Sequence, residues 1–389
     1  MSSNRHPDQL QALQLAGLYR KMVEMHGAAN AHTTINGQSR AVFCSNNYLN
    51  IANHPDMIAA IKIGLDQWGF GTGSSRLING NTSAHEQLQD RLANMLSKEA
   101  ALIYPTGFMT NYGLLSVLGE KGDLIVVDKL VHASIIDGAQ ASKATVRTFS
   151  HKNYDKLTTL LKTKQYNNAY IVSDSIFSMD GDFADIKQLV TIKKQFDATL
   201  IIDEAHAFGA LGEKGLGVCE LQNVLDDVDI YVATFSKVLG GAGGFIAGTQ
   251  ALCQILVNHS RSFIYTTGLP SINCVAANSA LDIIAQEPQR QTQLLDNVTY
   301  FKQRCQENNI STAPSDSYII PIMIGDAQVA VDISKALWMA NLMVPAIRPP
   351  TVAPGTSRLR VSILAEHTKT ELAHLCDTLA TLMKKYQIS

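Results

Sequence analysis

The segment 200–206 reads Leu200-Ile201-Ile202-Asp203-Glu204-Ala205-His206, an apolar run that ends in two acids and a histidine. A short apolar run of this kind predicts a strand that is buried on both faces. In an open α/β sheet, ligands bind outside the carboxyl ends of the strands, so Asp203 and His206 are candidate ligand-binding residues. The segment alone is equally consistent with an aspartate that caps a following helix.

Similar apolar runs recur on both sides of this segment and alternate with amphipathic stretches of helix length, such as Ile186–Phe196. Alternation of strands and helices is typical of an α/β domain with a mostly parallel sheet. The strand-like runs are Ala101–Tyr104, Leu124–Val127, Thr145–Phe149, Tyr170–Val172, Thr199–Ile202, Ile230–Ala233 and Gly244–Ala247.

Both ends of the chain depart from this alternation. Apolar residues at helical spacing predict an N-terminal helix over Gln9–His26. The 389 residues are too many for one compact core. We therefore expect an N-terminal helix and arm (1–45), a large α/β domain (46–285) and a small C-terminal α+β domain (286–389). The later elements are expected to be a long helical stretch over Ser271–Gln286 and on to Asn308, strands near Ser317–Met323 and Arg358–Ile363, and a helix over Thr368–Lys384.

The composition argues against several classes of protein. Lys and Arg number 32 against 34 Asp and Glu, so the chain lacks the basic excess typical of proteins that bind nucleic acids or anionic membranes. The six cysteines are scattered without a CxxC pair, and we expect neither a metal site nor a disulfide scaffold. The polar N-terminus has no apolar signal region, and no apolar run approaches the roughly 20 residues of a bilayer span. These features predict a cytoplasmic enzyme.

A lysine closes the strand-like run in Ala233-Thr234-Phe235-Ser236-Lys237, and a glycine-rich turn over 238–244 follows it. A lysine at the end of a buried strand is partly desolvated, which favours the neutral and nucleophilic amine. The glycines allow the backbone to approach a phosphate or an aromatic ring closely. Taken singly, the motif also fits an exposed lysine in a flexible loop.

Three further strand ends carry polar residues. The segment Tyr104-Pro105-Thr106-Gly107-Phe108-Met109-Thr110-Asn111 joins a strand to a helix, where backbone amides and the helix dipole favour an anion. His132 could stack on an aromatic cofactor or be a satisfied core residue. Asp174 and Ser178 follow the run Tyr170–Val172, in a stretch where Asp180-Gly181 also suits a simple turn.

In their order along the chain, these motifs resemble the α-oxoamine synthase family of fold-type I pyridoxal-phosphate enzymes. The resemblance extends from about residue 40 to the C-terminus. It implies an aspartate aminotransferase-like fold, with a large α/β domain built on a mostly parallel sheet and a smaller C-terminal α+β domain. The motifs that carry it are Ser45-Asn46-Asn47-Tyr48-Leu49, Gly71-Thr72-Gly73-Ser74-Ser75-Arg76, Phe177-Ser178-Met179-Asp180-Gly181-Asp182, Asp203-Glu204-Ala205-His206 and Thr234-Phe235-Ser236-Lys237.

The resemblance implies pyridoxal 5′-phosphate as the cofactor, held as a Schiff base by Lys237, which is also the expected base for the amino acid's α-proton. Asp203 is expected to pair with the pyridine nitrogen, His132 to stack over the ring, and His206 to hydrogen-bond the ring's phenolate oxygen. Other cofactor-binding candidates surround the phosphate and the ring. They are Gly107, Phe108, Asn111, Ser178, Thr234 and, from the second subunit of a homodimer with shared active sites, Thr266 and Thr267.

For the substrates, the resemblance implies that Arg360 binds the α-carboxylate of the amino acid, because a guanidinium forms two parallel charge-assisted bonds. The other substrate-binding candidates are Asn46, Asp174, Arg20, Arg348 and Thr351. Three segments are most similar to the family branch that condenses an amino acid, expected to be L-alanine, with a pimeloyl thioester of CoA or acyl carrier protein and releases CO2. They are Ile264–Thr267, Ile347–Val352 and Gly355–Arg360.

Other readings remain open. Within the family, these are a glycine acetyltransferase, a long-chain serine-using synthase and a synthase of a signalling or secondary-metabolite aminoketone. Beyond it stand an aminotransferase of the same fold and a non-catalytic scaffold subunit. The chain departs from the family pattern at Ser74, at Ala207-Phe208 and at Leu216, where an arginine is common. An arginine lost near the acyl entrance would change how the acyl donor is recognised.

Overall fold

The computed structural model describes residues 5–35, 37–163 and 165–388. Its helices are α1 (Arg5–Leu15), α2 (Pro55–Trp68), α3 (Ser83–Met95), α4 (Gly107–Leu118), α5 (Ala133–Gln140), α6 (Tyr154–Leu161), α7 (Ile186–Phe196), α8 (Val218–Leu221), α9 (Gln250–His259), α10 (Arg261–Ile264), α11 (Ser271–Gln286), α12 (Gln289–Glu307), α13 (Ala327–Met339) and α14 (Lys369–Tyr386). A π-helical turn spans Arg76–Gly80 and a 3₁₀ turn spans Leu225–Asp227.

The strands are β1 (His32–Ile35), β2 (Gln38–Val42), β3 (Ala100–Tyr104), β4 (Leu124–Asp128), β5 (Thr145–Phe149), β6 (Ala169–Asp174), β7 (Thr199–Asp203), β8 (Ile230–Thr234), β9 (Gly244–Gly248), β10 (Ile319–Gly325), β11 (Leu342–Met343), β12 (Ala346–Ile347) and β13 (Ser357–Ser362). The chain divides into two compact units. We call residues 49–178 and 182–291 the large unit, and the described residues of 1–48, 179–181 and 292–389 the small unit.

The large unit is built on a seven-stranded sheet in the order β3-β9-β8-β7-β6-β4-β5. Strand β9 runs antiparallel to both of its neighbours, and the other pairs are parallel. All seven strands predicted from the sequence form this sheet, which confirms the predicted fold class. Strands β4 and β8 are buried at every residue, as expected for a sheet with helices on both faces.

Parallel pairing places the last residues of neighbouring strands side by side. Asp174 at the end of β6 lies opposite Asp203 at the end of β7, and Asp203 lies opposite Val232 in β8. Two acids that are 29 positions apart in the sequence therefore become neighbours at one edge of the sheet. This edge is where an α/β sheet binds its ligands.

The small unit contains two three-stranded sheets, with the orders β1-β2-β11 and β10-β13-β12. The predicted strands near Ser317–Met323 and Arg358–Ile363 correspond to β10 and β13, which pair antiparallel. The predicted last helix corresponds to α14, whose Thr368 forms a capping box with Glu371. Helix α13 and the two-residue strands β11 and β12 were not predicted.

The predicted N-terminal helix over Gln9–His26 is wrong in its extent, because α1 ends at Leu15. Gly17 adopts a φ of 66°, a left-handed conformation that ends a helix. The apolar pattern continues beyond this glycine, but Met22 is fully exposed and Met25 is also exposed. Apolar spacing alone therefore overstated this helix. Among the described residues, no helix combines the length and the apolar character needed to cross a bilayer.

We predict that Gly181→Ala destabilises the protein by about 3 kcal/mol. Gly181 has a φ of 74°, and an added Cβ would lie 1.9 Å from the carbonyl oxygen of Ile319 within the small unit. Gly355 is the matched control, since its φ is 78° and nothing lies within 4 Å of an added Cβ. Gly355→Ala should cost only the backbone strain, about 1 kcal/mol. Urea unfolding measures both values, and equal losses would contradict the steric account.

Candidate active site

A cavity of about 210 Å³ opens at the carboxyl ends of the parallel strands in the large unit. Its lining combines acids, histidines, hydroxyl groups and one lysine, a set that can hold an anion, a ring and a reacting amine. We call it the site cavity. It is lined by Thr106, Gly107, Phe108, Asn111, His132, Ser134, Asp174, Ile176, Ser178, Asp203, Ala205, His206, Val232, Ala233, Thr234, Ser236 and Lys237.

Asp203 is the most firmly held carboxylate in the site cavity. The Asn111 side-chain amide donates a hydrogen bond of 2.7 Å to its Oδ2, and the backbone N–H of Ala205 donates one of 2.8 Å to its Oδ1. The side chain is only 6% exposed. Two N–H donors stabilise the charged form of a buried carboxyl group. Asp203 is therefore suited to pair with a cationic ring nitrogen.

His132 caps the N-terminus of helix α5 and is held by Ser134. Its Nδ1 accepts the Ser134 N–H at 3.2 Å and lies 2.7 Å from the Ser134 hydroxyl. Burial lowers the pKa of His132; the charge of Lys237 acts in the same direction and that of Asp203 opposes it. A neutral imidazole fixed at Nδ1 presents a flat face that suits an aromatic ligand.

The anion-binding prediction falls at the start of helix α4. Gly107 is the first residue of this helix, and Thr106 caps it by accepting the N–H of Met109 at 3.1 Å. A Cβ at Gly107 would lie 3.2 Å from Thr234 Oγ1, so glycine permits this close approach. A helix N-terminus with nearby hydroxyl groups is a common phosphate site.

Lys237 lies in a turn that glycines close. The Phe235 N–H donates to the Gly243 carbonyl at 3.0 Å, and the Gly241 N–H donates to the Phe235 carbonyl at 2.9 Å. Gly240 and Gly243 have φ values of 66° and 111°, which favour glycine. The turn holds the half-buried Lys237 in the same cavity as Asp203 and His132.

The segment that carries Ser178 is held by His151. The Phe177 N–H donates to the Asp182 carbonyl at 3.2 Å, and His151 bonds the Asp182 carboxylate at 2.9 Å and Asp128 at 3.0 Å. Burial alone would lower the pKa of His151, but the bonds to Asp128 and Asp182 outweigh it and raise this pKa to about 9. His151 is therefore a cation that bridges two carboxylates at neutral pH.

The predicted substrate residues of the small unit form two groups. Arg360 is buried and donates to Ser362 Oγ at 2.8 Å, to Asn46 Oδ1 at 3.2 Å and to the Tyr48 hydroxyl at 3.4 Å. The structure thus brings Arg360 and Asn46 together.

The second group lines another pocket of the small unit. Arg20, Arg348 and Thr351 lie there together with Lys21. Arg348 donates to the carbonyls of Gly17 and Tyr19. Burial, together with the charge of Arg20, lowers the pKa of Arg348. Three basic side chains in one pocket suit an anionic group.

Two predicted cofactor residues are not among those lining the site cavity. Thr266 and Thr267 follow helix α10 and are half-buried and exposed, respectively. All other cofactor-binding and substrate-binding residues predicted in the large unit line the site cavity. Sequence reasoning assigned no role to Thr106, Ser134, Ala205 or Ser236, although Ser134 links His132 to Asn111. Its position two residues after His132 could have indicated that Ser134 bonds the imidazole.

Leu216, where an arginine is common in the family, is buried in the large unit at 3% exposure. Its backbone N–H donates to Glu220 at 2.9 Å, and its carbonyl accepts the Tyr231 hydroxyl at 2.9 Å. The side chain thus occupies an apolar interior position in this chain. An arginine there would need a charged partner within the unit.

Comparison with known proteins gives a consistent picture. The aminotransferase class I and II family model matches residues 41–379. The 8-amino-7-oxononanoate synthase of Citrifermentans bemidjiense is 38% identical over 381 residues, which cover 97% of this chain and 98% of that protein. The 8-amino-7-oxononanoate synthase 2 of Bacillus subtilis is 37% identical over 382 residues, covering 98% of each chain.

Solved structures show the same fold. Serine palmitoyltransferase from Sphingomonas wittichii superposes with a TM-score of 0.92 at 29% identity, covering 100% of this chain and 98% of that one. The 8-amino-7-oxononanoate synthase from Francisella tularensis gives a TM-score of 0.79 at 28% identity, covering 90% of this chain and 99% of that one. These results confirm the predicted fold class and the family resemblance.

We predict that the stabilising effect of His151 is lost at alkaline pH. Its folded pKa of about 9 lies above the ordinary value of 6.5, so the stabilisation is complete below pH 6.5 and disappears as the pH rises through about 9. The free energy of unfolding should exceed that of His151→Gln by at most about 3 kcal/mol near pH 6. The difference should shrink steadily towards pH 10, whereas a constant difference would show that His151 does not carry the charge.

Proposed function

Because this chain belongs to the aminotransferase class I and II family, and within it to the α-oxoamine synthases, we propose that it is an 8-amino-7-oxononanoate synthase. It would condense L-alanine with a pimeloyl thioester to give 8-amino-7-oxononanoate, CO2 and the free thiol, a step of biotin biosynthesis. The observation that carries the proposal is the convergence of Lys237, Asp203 and His132 in one cavity, in a chain that is 38% identical to such a synthase. The proposal keeps the cytoplasmic location expected from the sequence.

The residues of the site cavity fit pyridoxal 5′-phosphate. The start of helix α4 at Gly107 and Phe108 suits the phosphate, and the buried Asp203 suits a protonated ring nitrogen. His132 offers a ring face, and Lys237 offers the amine that would hold the cofactor's aldehyde carbon covalently. When bound, the cofactor supplies a cationic ring that withdraws electrons from the amino acid's Cα.

The protein's own groups would then orient the amino acid and move its proton. Lys237 Nζ is the base that takes the proton from Cα, since it is the amine of the site cavity. Arg360 binds the α-carboxylate in this proposal, and its guanidinium is already fixed by Asn46 and Ser362. A fixed guanidinium holds the Cα–H bond in one orientation, which lowers the entropic cost of the reaction.

The acyl donor would be recognised through the basic pocket of the small unit. Arg20 and Arg348 would bind an anionic group of the donor, and Thr351 would add a hydroxyl. A pimeloyl chain ends in a carboxylate, and both CoA and the carrier protein's prosthetic group bear phosphate. The pocket thus has the charge that either part of the donor requires.

We further propose a homodimer in which Thr266 and Thr267 reach the partner's cofactor phosphate. Both threonines lie outside the lining of their own site cavity. The neighbouring Tyr265 is 72% exposed, and Phe70 and Ile78 are also largely exposed in the large unit. A subunit interface over these residues would remove their apolar surface from water.

A second function has a specific structural observation in its favour. Serine palmitoyltransferase superposes better, with a TM-score of 0.92, than the 8-amino-7-oxononanoate synthase structure with 0.79. A long-chain synthase that uses L-serine is therefore the second candidate. Sequence identity favours the first candidate, because three 8-amino-7-oxononanoate synthases are 37–38% identical over 97–98% of this chain, whereas the serine palmitoyltransferase is 29% identical.

We expect purified protein with pyridoxal phosphate, L-alanine and pimeloyl-CoA to form 8-amino-7-oxononanoate, detected by mass spectrometry. Lys237→Ala should lower the rate at least about 1,000-fold, since it removes both the attachment point and the base. Release of a long-chain aminoketone from L-serine and palmitoyl-CoA instead would support the second candidate. Pyruvate formed from L-alanine without an acyl donor would identify an aminotransferase and contradict both.

Mixing two inactive variants tests the shared site. In a dimer of Lys237→Ala with the double variant Thr266→Val, Thr267→Val, one site combines a native Lys237 with native threonines. We therefore expect the heterodimer, formed by co-expression or re-association, to recover up to about half of the activity of a wild-type dimer, whereas each variant alone stays low. No recovery, with heterodimers confirmed by native mass spectrometry, would mean that the threonines do not act across the interface.

A further inference from the structure

The site cavity contains a second buried acid whose environment differs from that of Asp203. Asp174 ends strand β6 and is 4% exposed. Its Oδ2 accepts the backbone N–H of His132 at 3.1 Å. Its Oδ1 is fully buried and has no hydrogen-bond partner among the described residues. Asp174 is one of the residues that line the site cavity, so its side chain lies next to the space that a ligand would occupy.

Only one of the two neighbouring acids is expected to be ionised, because two adjacent buried negative charges repel each other. Asp174 and Asp203 are direct neighbours on adjacent parallel strands. Asp203 accepts two N–H donors, from Asn111 and Ala205, whereas Asp174 accepts one. When two buried carboxyl groups lie close together, the group with fewer donors keeps its proton. The hydrogen bonds therefore assign the charge to Asp203 and the proton to Asp174.

We propose that Asp174 is a neutral hydrogen-bond donor of the site, whose Oδ1–H points to an acceptor oxygen of the bound ligand. A buried carboxylate with one bare oxygen would be costly, whereas a protonated carboxyl supplies the O–H that such a ligand oxygen needs. The same side chain holds the backbone of His132 through Oδ2. Asp174 thus links ligand binding to the position of the ring-stacking histidine.

The charged groups around Asp174 agree with this assignment. Burial raises its pKa well above the ordinary value, and the charges of Asp203 and Asp128 raise it further. The charge of Lys237 and the hydrogen bond from the His132 N–H oppose this and are outweighed. These groups belong to β7, β4, the turn after β8 and the start of α5.

Infrared spectroscopy of the holoenzyme tests the proton directly. At neutral pH, the wild-type protein should show the carbonyl stretch of a buried protonated carboxyl group, and Asp174→Asn should lack it. Asp128→Asn is the matched control, because Asp128 is equally buried but accepts N–H bonds from Leu130, His151 and Lys152 and should contribute no such band. The same spectrum in wild type and Asp174→Asn would overturn the proposal.

The pH dependence of stability gives a second readout. Because the folded pKa of Asp174 lies above its unfolded value, the folded state gains stability at low pH and loses it as the pH rises above about 4. Asp174→Asn cannot titrate, so its free energy of unfolding should rise relative to wild type between about pH 5 and pH 8. A difference that stays constant over this range would show that Asp174 is ionised in the folded protein.

Two substitutions separate the donor role from a charged one. Asp174→Asn keeps an N–H donor, so the dissociation constant of the holoenzyme for L-alanine should stay within about threefold, whereas Asp174→Leu should weaken it about tenfold. Equal losses in both variants would contradict the donor role. This inference depends on the proposed function only for the ligand's identity. If wild type binds no L-alanine, the proposed function fails. The infrared band would still show whether Asp174 is protonated. Retention of the cofactor by Asp174→Asn and Asp174→Leu would then test the donor role.

Discussion

Parallel pairing of β6, β7 and β8 is the constraint on which the candidate site depends. It brings Asp174, Asp203 and the turn after Thr234 to one edge of the sheet, although they lie far apart in the sequence. Burial on both faces fixes the register of these strands, because a shift would draw the terminal acids Asp174 and Asp203 into the apolar core. The register in turn fixes which polar groups become neighbours. The chemistry of the site thus follows from the packing of the sheet.

The site also shows how the fold tolerates buried polar groups. Asp203 accepts hydrogen bonds from two N–H donors, and His151 carries a charge between the carboxylates of Asp128 and Asp182. Asp174 is only half compensated within the described residues. A buried acid that lacks a hydrogen-bond partner lowers the stability of the folded protein, and such losses are typical of functional sites. A ligand that completes the hydrogen bonds would be bound more tightly for the same reason.

The sequence alone was sufficient for the large sheet and for the residues at its edge, because buried strands have a strong apolar signal and ligands bind at their carboxyl ends. It failed where the signal is weak or non-local. Gly17 ended the N-terminal helix despite continuing apolar spacing, and the two-residue strands β11 and β12 have no pattern of their own. The ion pair of 2.5 Å between Arg358 and Asp180 joins residues 178 positions apart, which no local pattern predicts.

The central claim is that Lys237 holds the cofactor in the cavity where Asp203 and His132 lie. Borohydride reduction of the purified protein, followed by proteolysis and mass spectrometry, tests it most directly, because reduction makes the lysine–cofactor bond permanent. We predict one pyridoxyl phosphate per chain, on the peptide that contains Lys237. A modification on a different lysine, or a protein that carries none after incubation with pyridoxal phosphate, would contradict the account.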